Sequence, residues 1–205
     1  MGKSRTYVKV ARAEAEQRTR AALLDSAEQA FFAGAWQATT LEAIAAGAGV
    51  TKQTLLRHFG TKDGLLEQTF QRAFERVQEQ RMRVPGNDIE AAIENLLQHY
   101  DSVGDASLKI AAMRGGGLIA EIGRRARQLH YDWIDHAFGA RLGFMPQRER
   151  AHVRAVLITI CDVRAWDILV NELGLNRGET KTALILSIRR LLTDTTDDRE
   201  PVVPT

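Results

Sequence analysis

Apolar side chains in this chain recur every three or four residues in five separate segments, and no stretch sustains a period of two with β-branched residues. That spacing lines one stripe of a helix rather than one face of a strand. Leu23 or Leu24, Ala27 and Phe31 form the first stripe. Leu66, Phe70, Phe74 (or Ala73) and Val77 form the second. Ile89, Ile93, Leu96, Leu97 and Tyr100 form the third, and Leu118, Ile122, Leu129 and Trp133 the fourth. Val153, Val156, Leu157 and Ile160 make the fifth. No stretch adds β-branched enrichment to alternation, so the expected class is all-α. Four prolines in 205 residues leave room for long helices, and that length is enough to bury a core in one or two domains.

The punctuation between stripes agrees. Pro85-Gly86-Asn87-Asp88 stops one helix and caps the next. Gly115-Gly116-Gly117 reads as a break or hinge; it follows no strand and lacks the Lys-Ser/Thr of a phosphate loop. Gly143 and Pro146 separate two helices, and Gly174 suits a C′ position with Leu175 as its apolar partner. Asn176 with Glu179 predicts a capping box for a last helix.

Composition excludes several classes. With 44% apolar and 26% charged residues the chain reads as globular rather than disordered. Its most apolar run, 155–161, is fenced by Arg154 and Asp162, far short of the ~20 residues of a membrane span. An N-terminus without an apolar h-region predicts no secretory signal. A single cysteine, Cys161, rules out an internal disulfide and a cysteine zinc site, and suits a reducing, cytoplasmic setting. A di-iron bundle needs two Glu-x-x-His units, and only Glu149 with His152 supplies one. His130, Asp132, Asp135 and His136 share a helix without a full ligand set, so a solvated face is the favoured reading. No enzyme, metal site or cofactor is expected.

The net charge of +2 is unevenly spread. Residues 1–66 hold nine bases and six acids, and six of those bases fall in the first 20 residues. A basic terminus on a near-neutral body fits a polyanion partner, or else a solvated end.

Residues 39–66 are the most informative. Thr40 caps a short helix, 41–46, with Leu41, Ile44 and Ala45 on its apolar face. Gly49 supplies the positive φ of a tight turn, and Val50 plugs the corner. Thr51 caps a second helix, 52–59, which turns Leu55 and Phe59 inward. Small Ala45 lets the two helices cross closely. This is a helix-turn-helix pattern. Its second helix presents Lys52, Gln53, Thr54, Arg57 and His58 outward, where a recognition helix meets base edges. Gln suits adenine and Arg suits guanine. Thr61 caps a further helix whose first amides, beside Lys62, suit a phosphate.

The residues go further than a bare pattern. Ala35-Trp36-Gln37-Ala38-Thr39-Thr40 leads to Ile44-Ala45, Ala48-Gly49-Val50-Thr51, Thr54-Leu55-Leu56 and His58-Phe59. Thr61-Lys62-Asp63 and Leu65-Leu66 close the run. Over about residues 14–77 the chain resembles the TetR family of transcriptional regulators. It departs from that pattern at Ala35, where glycine is usual, at Leu56, where a phosphate-binding tyrosine is usual, and at Gly64, which is expected to loosen the next helix. The resemblance implies that Thr40, Thr51, His58 and Lys62 hold phosphates while Lys52, Gln53, Thr54 and Arg57 lie nearest the bases. It implies that the basic arm, 3–12, reaches an adjacent minor groove.

The resemblance further implies an N-terminal three-helix DNA-binding domain, 1–66, and a helical effector-binding and dimerisation domain, 67–195; the acidic, proline-containing end, 196–205, reads as a mobile tail. Two long helices, 147–173 and 177–192, are expected to build a homodimer through Val156, Ile160, Leu184, Ile188 and Leu191. The last helix is apolar on most of its circumference, so more than one side must be covered. Candidate effector contacts are Leu96, Tyr100, Met113, Leu129, Trp133, Phe138, Cys161 and Trp166, suited to a small apolar or aromatic ligand. The expected partners are a palindromic duplex operator, a second copy of the chain and that ligand. The expected function is a repressor released by it.

Overall fold

The computed structural model describes residues 3–34 and 36–193, the side chains of residues 3–6 and 8 excepted. Secondary structure among these residues is helical, as the periodicity implies, and the chain divides into two units, Met1–Glu75 and Arg76–Thr205. The expected tail at 196–205 and the departure at Ala35 lie outside the described residues.

In the first unit, α1 runs Lys3–Phe32. No glycine or proline interrupts it and alanine is frequent, so helix propensity is high throughout. The stretch expected as an arm is thus helical, with Tyr7, Lys9, Val10 and Arg12 exposed. Only the C-terminal half of α1 buries a stripe: Leu23, Leu24 and Ala27. The helix closes through Gly34, whose φ of 77° supplies the left-handed step one residue before Ala35. Helix α2 spans Leu41–Gly47, α3 Lys52–Phe59 and α4 Lys62–Arg81. Ile44, Ala45, Leu55, Phe59, Leu65, Leu66 and Phe70 complete this core, with Phe31 edge-on to Phe70 at 4.8 Å.

The second unit holds the last turn of α4, then α5 (Ile89–Ala112), α6 (Gly117–Gly143) and α7 (Gln147–Ile160). It continues with α8 (Val163–Asp167), a π-helical turn at Ile168–Glu172, and α9 (Arg177–Thr193). Asp88 caps α5 by accepting from the Ala91 amide at 2.9 Å. Within α5 the backbone departs from helix at Val103 (φ −140°, ψ 20°). The next residue, Gly104, lets the Trp166 ring approach: a Cβ there would stand 2.6 Å from it. The capping box holds, the Asn176 amide donating to Glu179 at 2.8 Å and the Glu179 amide to Asn176 Oδ1 at 3.1 Å. The core runs through Ile93, Leu96, Trp133, Ile134, Phe138 and Leu157. Among the described residues no helix is long and apolar enough to cross a membrane.

Two expectations are corrected here. The single helix at 147–173 is broken, because the Asp162 carboxylate accepts from the Arg164 amide at 3.0 Å and starts a new helix. Leu184 and Ile188, expected on a dimer face, are 5% and 0% exposed and belong to the chain's own core. Helix α9 turns that side inward and leaves Leu186 exposed on another.

Candidate nucleic-acid interface

The helix-turn-helix is built by short-range bonds. Thr40 Oγ1 accepts from the Ala43 amide at 3.1 Å, and Thr51 Oγ1 from the Thr54 amide at 3.2 Å. Each cap satisfies an amide that its helix cannot. Between them Gly49 has φ 69°, and the Val50 amide returns to the Ala45 carbonyl at 2.9 Å. Leu55 and Phe59 anchor α3 inward.

That anchoring leaves one face of α3 outward. Thr51, Lys52, Gln53 and Arg57 are exposed; Thr54, Leu56 and His58 are half-buried. Arg57 has no acidic partner among the described residues, so its guanidinium fork is available to a ligand. Lys52 Nζ is paired instead with Glu42 Oε1 at 2.7 Å, bracing α3 against α2. This bond and charge hold the Glu42 carboxyl below its ordinary value. The His58 Nε2 is buried without a partner among the described residues.

Lys62 is not turned outward. Its ammonium donates to the carbonyls of Trp36 (2.6 Å), Thr39 (2.6 Å) and Gln37 (3.4 Å), and lies 5.0 Å from the centre of the Trp36 ring. It ties the start of α4 to the junction before α2. Gly64, expected to loosen α4, makes close packing possible: a Cβ there would stand 2.5 Å from the Phe59 carbonyl oxygen. Its amide donates to Thr61 Oγ1 at 2.9 Å.

Residues 23–69, from the buried half of α1 into α4, match the family model for bacterial regulatory proteins of the tetR family. That segment is similar to the N-terminal region of tetR-family regulatory proteins. The TetR fold extends beyond that segment. A crystal structure assigned to this family from Rhodococcus sp. superposes with a TM-score of 0.62 at 17% identity, covering 86% of this chain and 100% of the other. One from Shewanella sp. PV-4 gives 0.60 at 16% identity, covering 83% and 95%. The fatty acid degradation regulator of Bacillus halodurans gives 0.61 at 14% identity, covering 85% and 95%. No curated protein matches in sequence.

The candidate effector residues do not share one environment. Leu96, Tyr100, Trp133, Phe138 and Cys161 are packed in the core of the second unit, while Met113, Leu129 and Trp166 are half-buried. Trp133 is 0% exposed, with Phe138 edge-on at 5.9 Å and His130 stacked at 6.3 Å. The polar residues of α6 separate too. His130 Nε2 donates to the Ile158 carbonyl, His136 Nε2 to Val84, and Asp135 takes a two-pronged bond from Arg154. Among the described residues no cluster of metal-ligating groups forms.

The sequence reading missed Arg81. It lies four residues beyond Val77 on the second stripe, and it is 4% exposed. The stripe carried the signal; the residue type masked it. An apolar groove of about 460 Å³ between α7 and α9 is lined by Val153, Val156, Ile160 and Leu191. Glu149, Ser187 and Arg190 rim it.

Proposed function

We propose that this chain is a homodimeric TetR-family repressor that binds a palindromic operator and is released by a small effector with an aromatic or apolar body. The exposed face of α3, where Arg57 has no acidic partner among the described residues, supports this most directly. Gln53 and Arg57 lie one turn apart on it, with donor geometries suited to adenine and guanine edges. Thr40, Thr51 and His58 flank that face as phosphate contacts, with Lys52 and Thr54 beside the bases. Lys62 acts by positioning the junction.

The groove between α7 and α9, with Val156, Ile160 and Leu191, fits a second copy of the chain, because two-fold operators favour two-fold dimers. The effector belongs to the second unit, into which α4 runs with Arg81. A ligand that prefers the state in which the recognition helices no longer match successive major grooves would release the DNA.

The test is selection of duplex fragments from a genomic library by the purified protein, followed by titration. The expected outcome is a two-fold symmetric site with half-sites about 34–36 Å apart. Equal affinity for all duplexes would reject the reading.

A further inference from the structure

The last turn of α4 buries a cation that pairs with no carboxylate among the described residues. Arg81 is 4% exposed, and its guanidinium carbon stands 4.8 Å from the centre of the Trp133 ring and 5.6 Å from that of Tyr100. Its Nη1 lies 3.4 Å from His130 Nδ1. Its Nε and Nη2 are buried and have no hydrogen-bond partner among the described residues. The same holds for the indole Nε1 of Trp133.

Among the described residues no carboxylate forms an ion pair with Arg81. His130 Nε2 donates to the Ile158 carbonyl at 2.9 Å, so Nδ1 is the unprotonated nitrogen. Burial, and then Arg81, push His130 down to about 4 and His99 to about 3, so both rings are neutral. Burial raises the Tyr100 phenol, and its hydroxyl donates to the Cys161 carbonyl at 2.8 Å. Asp162 is the acid felt at this cluster, and its Oδ1 is engaged by the Arg164 amide and guanidinium. The cluster therefore holds one fixed positive charge and three donor nitrogens without a partner among the described residues. A buried guanidinium left in that state is costly, whereas a planar oxyanion would pair with it through two parallel bonds.

We propose that Arg81, with the indole N–H of Trp133, receives the carboxylate of a monoanionic ligand. One guanidinium beside neutral histidines balances one negative charge, and the rings of Tyr100 and Trp133 suit a flat or apolar body beside it. Binding requires the cluster to part, and α5 carries its departure from helix at Val103, three residues beyond Tyr100. The proposal rests on the reading that the second unit takes an effector.

Thermal unfolding of the full chain tests it. The probes are benzoate, phenylacetate and the n-alkyl carboxylates from acetate to octanoate, each against its primary amide. At least one carboxylate should raise the Tm of the wild type by several degrees at millimolar concentration while its amide does not. Arg81→Met should abolish that difference. If this variant does not fold, Trp133→Phe, which keeps a ring and deletes the N–H, should need about tenfold more carboxylate. Carboxylates and amides acting alike on the wild type would overturn the proposal. So would a difference that survives in Arg81→Met or is undiminished in Trp133→Phe. Operator binding measured on the same samples is independent of these outcomes. Its absence would reject the regulator reading alone.

Discussion

The ammonium of Lys62 donates to the main-chain carbonyl of Trp36 at 2.6 Å while lying 5.0 Å from the centre of that residue's ring. With Thr39 and Gln37 it meets three carbonyls, which matches the three donors an ammonium has. None is left over for a phosphate. The residue fixes the approach to α2, and so the crossing of α2 and α3, from 26 positions away in sequence.

Lys62→Met should therefore act as a stability variant. A hydrogen bond to a charged group is worth about 1.5–3 kcal/mol, so a loss of that order is expected in urea unfolding. At temperatures where the variant remains folded, the slope of log K against log salt should match the wild type. A slope flatter by about 1 would show that Lys62 touches a phosphate after all.

Arg57 and Lys52 should behave differently, though both lie on α3. Arg57→Ala should cost ~1–3 kcal/mol on the preferred site and relax the preference at one position per half-site. Lys52 is held by Glu42, so Glu42→Gln should free it, tighten binding to every duplex and steepen the salt slope by about 1. Titrations on specific and scrambled duplexes at several salt concentrations separate the two.

The helices proposed to dimerise give a paired prediction. Val156, 40% exposed on the groove, changed to Glu should yield a folded monomer with weak operator binding. Ile188, 0% exposed, changed to Glu should unfold the second unit, because the charge enters the chain's own core. Sedimentation and circular dichroism on both variants read this directly. A wild-type monomer at micromolar concentration would reject the dimer.

Acidification should destabilise the second unit. His130 is pushed down to about 4 from its ordinary 6.5, so between these values the unfolded chain binds a proton that the folded chain does not. Stability is full above pH 6.5 and falls as pH drops towards 4, by on the order of 3 kcal/mol for this residue. His99 adds in the same direction. Glu94, held at about 2 by Arg177 and Lys181, loses its contribution only below its ordinary 4.5. Unfolding measured from pH 7 to 4.5 therefore isolates the histidines, and His130→Gln should flatten the profile.

Helix α3 was legible to the residue, 52–59, because every signal that bounds it is local: the Thr51 cap, the left-handed Gly49, the spacing of Leu55 and Phe59. The capping box at Asn176 and Glu179 was readable for the same reason. The break at Asp162 was not, since Val153, Leu157, Cys161 and Val163 keep an apolar pattern through it and only the cap geometry interrupts the helix. Helix α9 announced burial on several sides, yet its apolar circumference could not say that Leu184 and Ile188 face the chain's own core.

By itself, then, the sequence determined which segments are helices, where most of them stop, and which face of α3 is polar. These depend on residues within a few positions of one another. Tertiary structure alone decided that Lys62 is spent on carbonyls, that Lys52 is paired, and that Arg81 is buried among aromatic rings with no counter-charge among the described residues. A side chain's partners depend on what distant segments bring to it. Helical period can place Arg81 on the buried stripe, but it cannot show that no carboxylate arrives there.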